Sequence, residues 1–231
     1  ILNIKQSMNK LIKNIILLVG LIYFGSCNNL DLAPYDQISS STFWKTEDHA
    51  KQAMMGVYRQ MKNNNVFGTA FMFDNLGEIG IGYDNISLQA AFLGTYTDRT
   101  NEVVNKWRST YDGVQKANTV IKNVATMDIS EETKTQVIAE AKFMRALYYF
   151  HLMDFFGGVP LYDESIDLNA DFNNLLEPRS SVEQVRTFIL NDLTDAINDL
   201  PVSWPSSDSG RATKGAAYAL RGKVHLFNKN W

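Results

Sequence analysis

The chain has 231 residues, 45% of them hydrophobic and 12% aromatic, so it can bury a globular core and does not have the composition of a disordered segment. Lys5, Lys10 and Lys13 are the only charged residues before Cys27, so 19 of the 22 basic residues stand against 25 acidic ones in the rest of the chain. An acidic body without a Lys/Arg cluster lacks the charge that a phosphate backbone requires, which argues against nucleic acid as a partner.

The first 26 residues have the three-part pattern of a secretory signal. From Met8 the chain has two lysines, then an apolar run from Ile15 to Phe24, then two small residues before Cys27. The apolar run is about half as long as the ~20 residues of a membrane-spanning helix. We therefore predict a signal peptide over residues 1–26, with translation starting at Met8.

Cys27 is the only cysteine in the chain and directly follows Gly25-Ser26. A single cysteine cannot form an intramolecular disulfide, which is the usual use of cysteine in an exported protein. We predict that Cys27 is lipidated and that residues 27–43, which are polar and contain Pro34, form an extended tether. The alternative is an incidental cysteine beside an ordinary cleavage site, which Phe24 favours because lipoprotein signals usually carry Leu there.

Helices are predicted to follow the tether, because apolar residues recur at spacings of three and four. The predicted ranges are Thr46–Met61, Glu102–Ala125, Ser130–Phe156, a helix that begins with the capping box Ser180–Glu183 and ends at Leu200-Pro201, and Thr213–Asn228. A long loop with five glycines and several aromatic residues joins the first two helices. Loops of this length in a compact domain are usually functional or disordered.

The third and fifth predicted helices have unusual faces. The third is apolar nearly all round from Phe143 to Phe156, which predicts that other helices cover it on several sides. The fifth is rich in Gly and Ala and carries an apolar face of Leu220, Val224 and Phe227. We expect that face to be left partly uncovered, because no further helix follows in this sequence.

Four segments of the chain together resemble the RagB/SusD family of outer-membrane nutrient-binding lipoproteins. They are Cys27–Pro34 with Phe43-Trp44; Trp107 to Tyr111 with Ala117-Asn118 and Ile121; AEAKFMRALYYFHLMDFFGGVPL, Ala139–Leu161; and Asp192-Leu193, Ala196-Ile197 and Leu200-Pro201 with GRATKGAAYALRGKVHLF, Gly210–Phe227. The third segment is the most specific to the family.

The resemblance implies an all-α fold, in which tetratricopeptide-like helix pairs form an α-α superhelix. Residues 44–231 would be its N-terminal helical domain, incomplete at the C-terminal end, because family members have a longer second half that supplies much of the ligand-binding surface. It also implies a surface-exposed lipoprotein of the cell outer membrane. Such a protein would capture oligosaccharides or peptides for a SusC-type TonB-dependent transporter. A helical-repeat scaffold for protein interactions and a non-functional truncated fragment are the alternatives.

Two groups of residues are candidates for specific roles. Sugars bind aromatic faces flanked by amides or carboxylates, and the loop before the second helix offers such a set: Tyr83, Asp84, Asn85, Phe92 and Tyr96. The alternative is that these aromatic rings only pack the loop down. Arg145 lies in the most apolar helix and must pair with a carboxylate, for which we predict Asp192. Asn118 is predicted to be a core amide that bonds to a neighbouring helix or turn.

Catalysis finds little support in the sequence. His49, His151 and His225 are scattered, and no HExxH, GxSxG or P-loop spacing occurs. Asp192, Asp195 and Asp199 share one helix face, as glycosidase carboxylates could, but a solvated or ion-paired face is the simpler interpretation. The glycine spacing near Glu78 and Asp84 does not fit an EF-hand. We predict no enzyme, no metal site and no cofactor.

Overall fold

The computed structural model describes residues 43–68, 90, 93–166, 176–227 and 229, and the chain divides into two units, 1–43 and 44–231. The described part of the second unit is all α-helical. Its helices are α1 Glu47–Gln60, α2 Asn101–Val124, α3 Glu131–Phe156, α4 Val182–Asp199 and α5 Lys214–Phe227, with a short π-helix at Asn64–Gly68 and a 3-10 turn at Ser206–Asp208. Within these ranges, no helix combines the length and apolarity needed to cross a membrane.

The predicted helix limits are confirmed to within a residue or two, and local capping explains them. The Thr46 hydroxyl accepts the His49 amide at 3.3 Å at the start of α1. The Ser130 hydroxyl accepts the Thr133 amide at 3.4 Å at the start of α3. Gly157 ends α3 with a positive φ of 69°, a conformation that glycine adopts without strain.

The predicted capping box of α4 is displaced by one residue. The Ser181 hydroxyl, not that of Ser180, accepts the Gln184 amide at 3.2 Å, and Gln184 Oε1 accepts the Ser181 amide at 2.8 Å. The Ser180 amide instead donates to the Val159 carbonyl at 3.1 Å. Ser180 is therefore tied to the segment that leaves α3, and the next residue caps the helix.

Helices α2, α3 and α4 alternate in direction. The Trp107 ring near the start of α2 lies 5.1 Å from the Phe156 ring at the end of α3, so α2 and α3 are antiparallel. Midway along α3, Lys142 pairs with Asp195 of α4 at 2.5 Å. The end of α3 meets the start of α4, where Gly157 lies against Val182, so these two helices are also antiparallel.

Helices α1 and α5 run parallel to α3. Tyr58 of α1 bonds with Glu140 of α3 at 2.7 Å, and Phe67, which follows α1, meets His151 near the end of α3. At the end of α5, the Phe227 ring lies 5.5 Å from the Phe150 ring. The ends of α1, α3 and α5 therefore lie together with the starts of α2 and α4.

We call this side of the domain the loop end, and it comprises residues 61–68, 93–107, 153–166, 176–185 and 223–227. The two longer connections, 61–100 and 157–181, both begin and finish there. The shorter connections, 125–130 and 200–213, lie at the opposite end. Helix direction alone therefore gathers the long segments of this domain on one side, where loops usually carry function.

The core surrounds the second half of α3, as the sequence predicts. Tyr148, Tyr149 and Leu152 are fully buried, and α3 contacts each of the other four helices. Burial of one such large side chain contributes about 1.5–3 kcal/mol. Contact on several sides explains why α3 has almost no polar face.

Gly113 and Gly222 form a matched pair for testing the packing of α2 on α3. A Cβ on Gly113 would lie 2.7 Å from the buried Tyr148 ring, whereas a Cβ on Gly222 would meet nothing within 4 Å. We expect Gly113→Ala to lower the free energy of unfolding by about 1–3 kcal/mol through overpacking. Gly222→Ala should raise it by about 0.5–1 kcal/mol, because Ala is the better helix former. Urea denaturation measures both changes, and a Gly113→Ala domain as stable as the unmodified one would contradict the packing.

The expectation of an uncovered face on α5 is wrong for two of its three residues. Leu220 is 8% exposed and Val224 is fully buried, because this face of α5 packs against α4. Phe227 does remain half exposed. The open face of α5 carries Tyr218 and Leu226 instead.

Candidate functional site

Most residues of the predicted ligand-binding set lie outside the described part of the chain. This is so for Tyr83, Asp84, Asn85 and Phe92, and equally for Cys27, the predicted signal peptide and the tether. Tyr96 is described, and its side chain is 54% exposed. It lies at the loop end, just before α2.

Hydrogen bonds on both sides of Tyr96 fix its backbone. The Thr95 amide donates to the Ala90 carbonyl at 2.8 Å. The Thr97 amide donates to the Thr100 hydroxyl at 2.9 Å. Tyr96 is thus an exposed aromatic ring on a held segment, which is the kind of surface against which the apolar face of a sugar packs.

Arg145 forms the ion pair that its burial predicts. Its guanidinium is 3% exposed, and Nε and Nη2 donate to the two carboxylate oxygens of Asp192 at 2.8 and 2.7 Å. Nη1 donates to Asn118 Oδ1 at 2.7 Å and to the Glu164 carboxylate. Burial alone would lower the pKa of Arg145, but the bonds and charges of Asp192 and Glu164 outweigh it and raise that pKa. The guanidinium therefore stays charged and joins α2, α3, α4 and the segment after α3.

Asn118 is half-buried, not fully buried, and its amide serves two partners. While Oδ1 accepts from Arg145, Nδ2 donates to the Tyr162 carbonyl at 2.9 Å. The Tyr149 hydroxyl donates to that same carbonyl at 3.0 Å and accepts the Tyr162 amide at 2.7 Å. The Tyr111 hydroxyl donates to the Pro160 carbonyl at 2.7 Å. Side chains from α2 and α3 thus hold residues 160–162 at the loop end.

An aromatic cluster lies beside this segment. The Trp107 ring is 5.0 Å from Tyr111 and 5.1 Å from Phe156, and Tyr111 is 5.9 Å from Tyr162. The exposed Arg179 lies 5.0 Å from the Trp107 ring and donates to the Gly158 carbonyl at 2.7 Å. Sequence reasoning did not assign Trp107 or Arg179 to a site, and the signal that could have found them is their place beside the two longest connections.

The opposite end has a second buried ion pair that sequence reasoning missed. Glu140 of α3 is fully buried, and Arg211 donates to both of its carboxylate oxygens. The Tyr58 hydroxyl donates to Glu140 at 2.7 Å and accepts the Ala212 amide at 2.8 Å. The Arg211 guanidinium also lies 3.8 Å from the Trp204 ring. This network fixes the α4–α5 connection to α1 and α3, and the available sequence signal was a lone acid between Ala139 and Ala141.

The described residues offer no arrangement for metal chemistry. Within those ranges, no three His, Cys, Asp or Glu side chains lie close enough to hold an ion together. Asp195, one of the three aspartates considered for glycosidase chemistry, pairs with Lys142, and Asp192 pairs with Arg145. These two carboxylates are therefore engaged in links between helices.

Comparison with known proteins follows from this geometry. Residues 28–226 match the SusD-like family model described as "Starch-binding associating with outer membrane". SusD-like protein P25 of Formosa agariphila is 31% identical over 95% of this chain and 44% of its own length. A SusD-like protein of Bacteroides fragilis has a TM-score of 0.73 at 29% identity, covering 85% of this chain and 38% of that one. A laminarin-binding SusD-like protein has a TM-score of 0.71 at 28% identity, covering 80% of this chain and 41% of that one. The chain thus spans less than half the length of each of these three proteins.

Proposed function

The chain belongs to the SusD-like family of starch-binding proteins that associate with the outer membrane, and from this premise we propose that it captures a glycan at the cell surface. The match over residues 28–226 is the observation that carries the proposal, and the laminarin-binding relative supports the class of ligand. The family's function is binding, so no catalytic step is assigned. The alternatives of a scaffold or a non-functional fragment are not favoured by the match.

The loop end is the proposed ligand surface within this part of the protein. It places the half-exposed Tyr96 at the start of α2, on the same side as the Trp107–Tyr162 cluster and the cation of Arg179. Aromatic rings suit the C–H face of a sugar and Arg179 can donate to hydroxyls. Tyr83, Asp84, Asn85 and Phe92 belong to the same proposed surface on sequence grounds.

Tyr96→Ala should weaken glycan binding about tenfold, which corresponds to ~1.4 kcal/mol of lost contact. Affinity electrophoresis in gels containing starch, laminarin or xyloglucan measures the change. The matched control is Tyr218→Ala, because Tyr218 is similarly exposed but projects from α5 away from the loop end. The proposal fails if none of the three polysaccharides retards the unmodified protein. Equal weakening by both substitutions would remove Tyr96 from the site.

We further propose that Cys27 is acylated and that the captured glycan passes to a SusC-type TonB-dependent transporter. The support is the signal-like pattern of residues 1–26, the position of Cys27 behind Gly25-Ser26, and membership of a family associated with the outer membrane. Delivery to a transporter rests on the family resemblance, and co-purification of a large outer-membrane β-barrel with the intact protein would test it.

Cys27→Ser should release the protein from the outer-membrane fraction, because one hydroxyl cannot replace the acyl chains that insert into the bilayer. Membrane fractionation and the intact mass of the native protein report the loss of anchor and of acyl groups. A Ser26→Ala variant, which keeps the small residue before Cys27, is the control and should stay anchored. Membrane association that persists in Cys27→Ser would contradict the lipid anchor.

A further inference from the structure

The chain leaves α1 through a tightly specified turn. In the π-helix Asn64–Gly68, the Asn63 carbonyl accepts three amides, from Val66, Phe67 and Gly68, at 2.9–3.2 Å. A Cβ on Gly68 would lie 2.7 Å from the Lys62 carbonyl oxygen, so only glycine fits there. Short π-helices are uncommon and frequently occur at functional sites.

A buried lysine of α2 holds this turn. Lys106 is 3% exposed, and its Nζ donates to the Val66 carbonyl at 2.6 Å. The ammonium lies 4.6 Å from the Phe155 ring centroid and 5.7 Å from that of Phe67. Burial lowers the pKa of Lys106 to about 8, partly offset by the charge of Asp154. A buried ammonium costs stability, and buried charges with a perturbed pKa are often kept for a functional reason.

Contacts of Gln60 continue the connection between α1 and α2. Gln60 Nε2 donates to the Ser109 carbonyl at 2.8 Å, and Lys116 Nζ donates to Gln60 Oε1 at 2.5 Å. The bond from Lys106 to Val66 joins residues forty positions apart in the sequence. It therefore ties together the two points between which the chain runs to and from Tyr96.

We propose that Lys106 is a positioning residue for glycan binding: by joining Val66 to α2, it fixes the two ends of the segment that carries Tyr96 and raises the affinity for the glycan. The inference rests on the proposed function. Holding both ends of a chain segment reduces the conformational entropy that is lost when a ligand orders it. Lys106 does not have to touch the glycan for this effect.

Lys106→Met tests the inference, because Met keeps an unbranched side chain and removes the donor and the charge. Lys122→Met is the control, since Lys122 is exposed on the same helix. We expect faster amide hydrogen exchange in residues 64–68 and 93–100 of Lys106→Met, with unchanged exchange in α4. We also expect about a tenfold higher Kd for laminarin, starch or xyloglucan, whichever the unmodified protein binds. Gly68→Ala, which disturbs the turn from the other side, should have both effects if Lys106→Met does not fold.

Three outcomes would overturn the inference. An unchanged Kd in a variant with faster local exchange would show that the held segment does not set affinity. Faster exchange across all helices would show that Lys106 only stabilises the domain. Absence of glycan binding by the unmodified protein would overturn the proposed function and this inference with it, which distinguishes that failure from the other two.

Discussion

The Arg145→Met domain should lose about 3–5 kcal/mol of unfolding free energy, because it leaves the buried carboxylate of Asp192 without its cation. The guanidinium donates to Asp192 twice and also to Asn118 and Glu164, so one substitution removes a link among three helices. Urea denaturation followed by circular dichroism at 222 nm measures the loss. A loss below about 1 kcal/mol would contradict a buried, fully paired charge.

Two further variants separate the charge from the packing. Arg186→Met removes an arginine of α4 that pairs with the exposed Glu183, and it should cost no more than about 1 kcal/mol. Arg145→Met combined with Asp192→Leu should recover much of the loss, because neither charge is then buried alone. A double variant no more stable than Arg145→Met would assign the effect to shape and not to charge.

The helices of this domain could be predicted because their signals are local. Capping residues such as Thr46 and Ser130 act over one turn, and the stop at Gly157 follows from its own backbone. The Arg145–Asp192 pair was also predictable, since a cation on an almost wholly apolar helix requires a carboxylate nearby. Only the choice among acids depended on the fold, and the antiparallel packing of α3 and α4 supplies Asp192.

The misplaced features depend on contacts between distant residues. Ser180 and Ser181 are equally good caps in sequence, and the bond from Ser180 to Val159 decides between them. The burial of Leu220 and Val224 depends on the angular position of α5 against α4. Lys106 had no local sequence signal, because its partner Val66 precedes it by forty residues. The spacing of residues cannot report such pairings.

The candidate site was predicted from composition alone, as aromatic and polar residues in a long loop. Of the five residues named, the structure describes Tyr96, and it shows an exposed ring at the loop end. The fold adds what composition cannot give: both long connections lie on one side, and Lys106 and Arg145 hold chain segments there with buried charges. Rigid helices that hold mobile or variable loops are a general way to build a binding surface.

Arg211→Met should be about as costly as Arg145→Met, about 3–5 kcal/mol, although it lies at the opposite end. Glu140 is fully buried, and without Arg211 its carboxylate keeps only the Tyr58 hydroxyl among the donors described above. Urea denaturation measures the change. The loss of the Arg211 contacts should also speed amide exchange at Ala212, whose amide donates to that same hydroxyl.

A matched control for Arg211→Met is Asp208→Asn, which removes the exposed partner of the same guanidinium and should cost less than about 1 kcal/mol. The contrast follows from solvation, since water replaces Arg211 around Asp208 but cannot reach Glu140. Glycan affinity should be unchanged in Arg211→Met at temperatures where the domain is folded, because the network lies away from the loop end. Weaker binding in that variant would mean that the two ends of the domain are coupled, and the proposed ligand surface would then have to extend beyond the loop end.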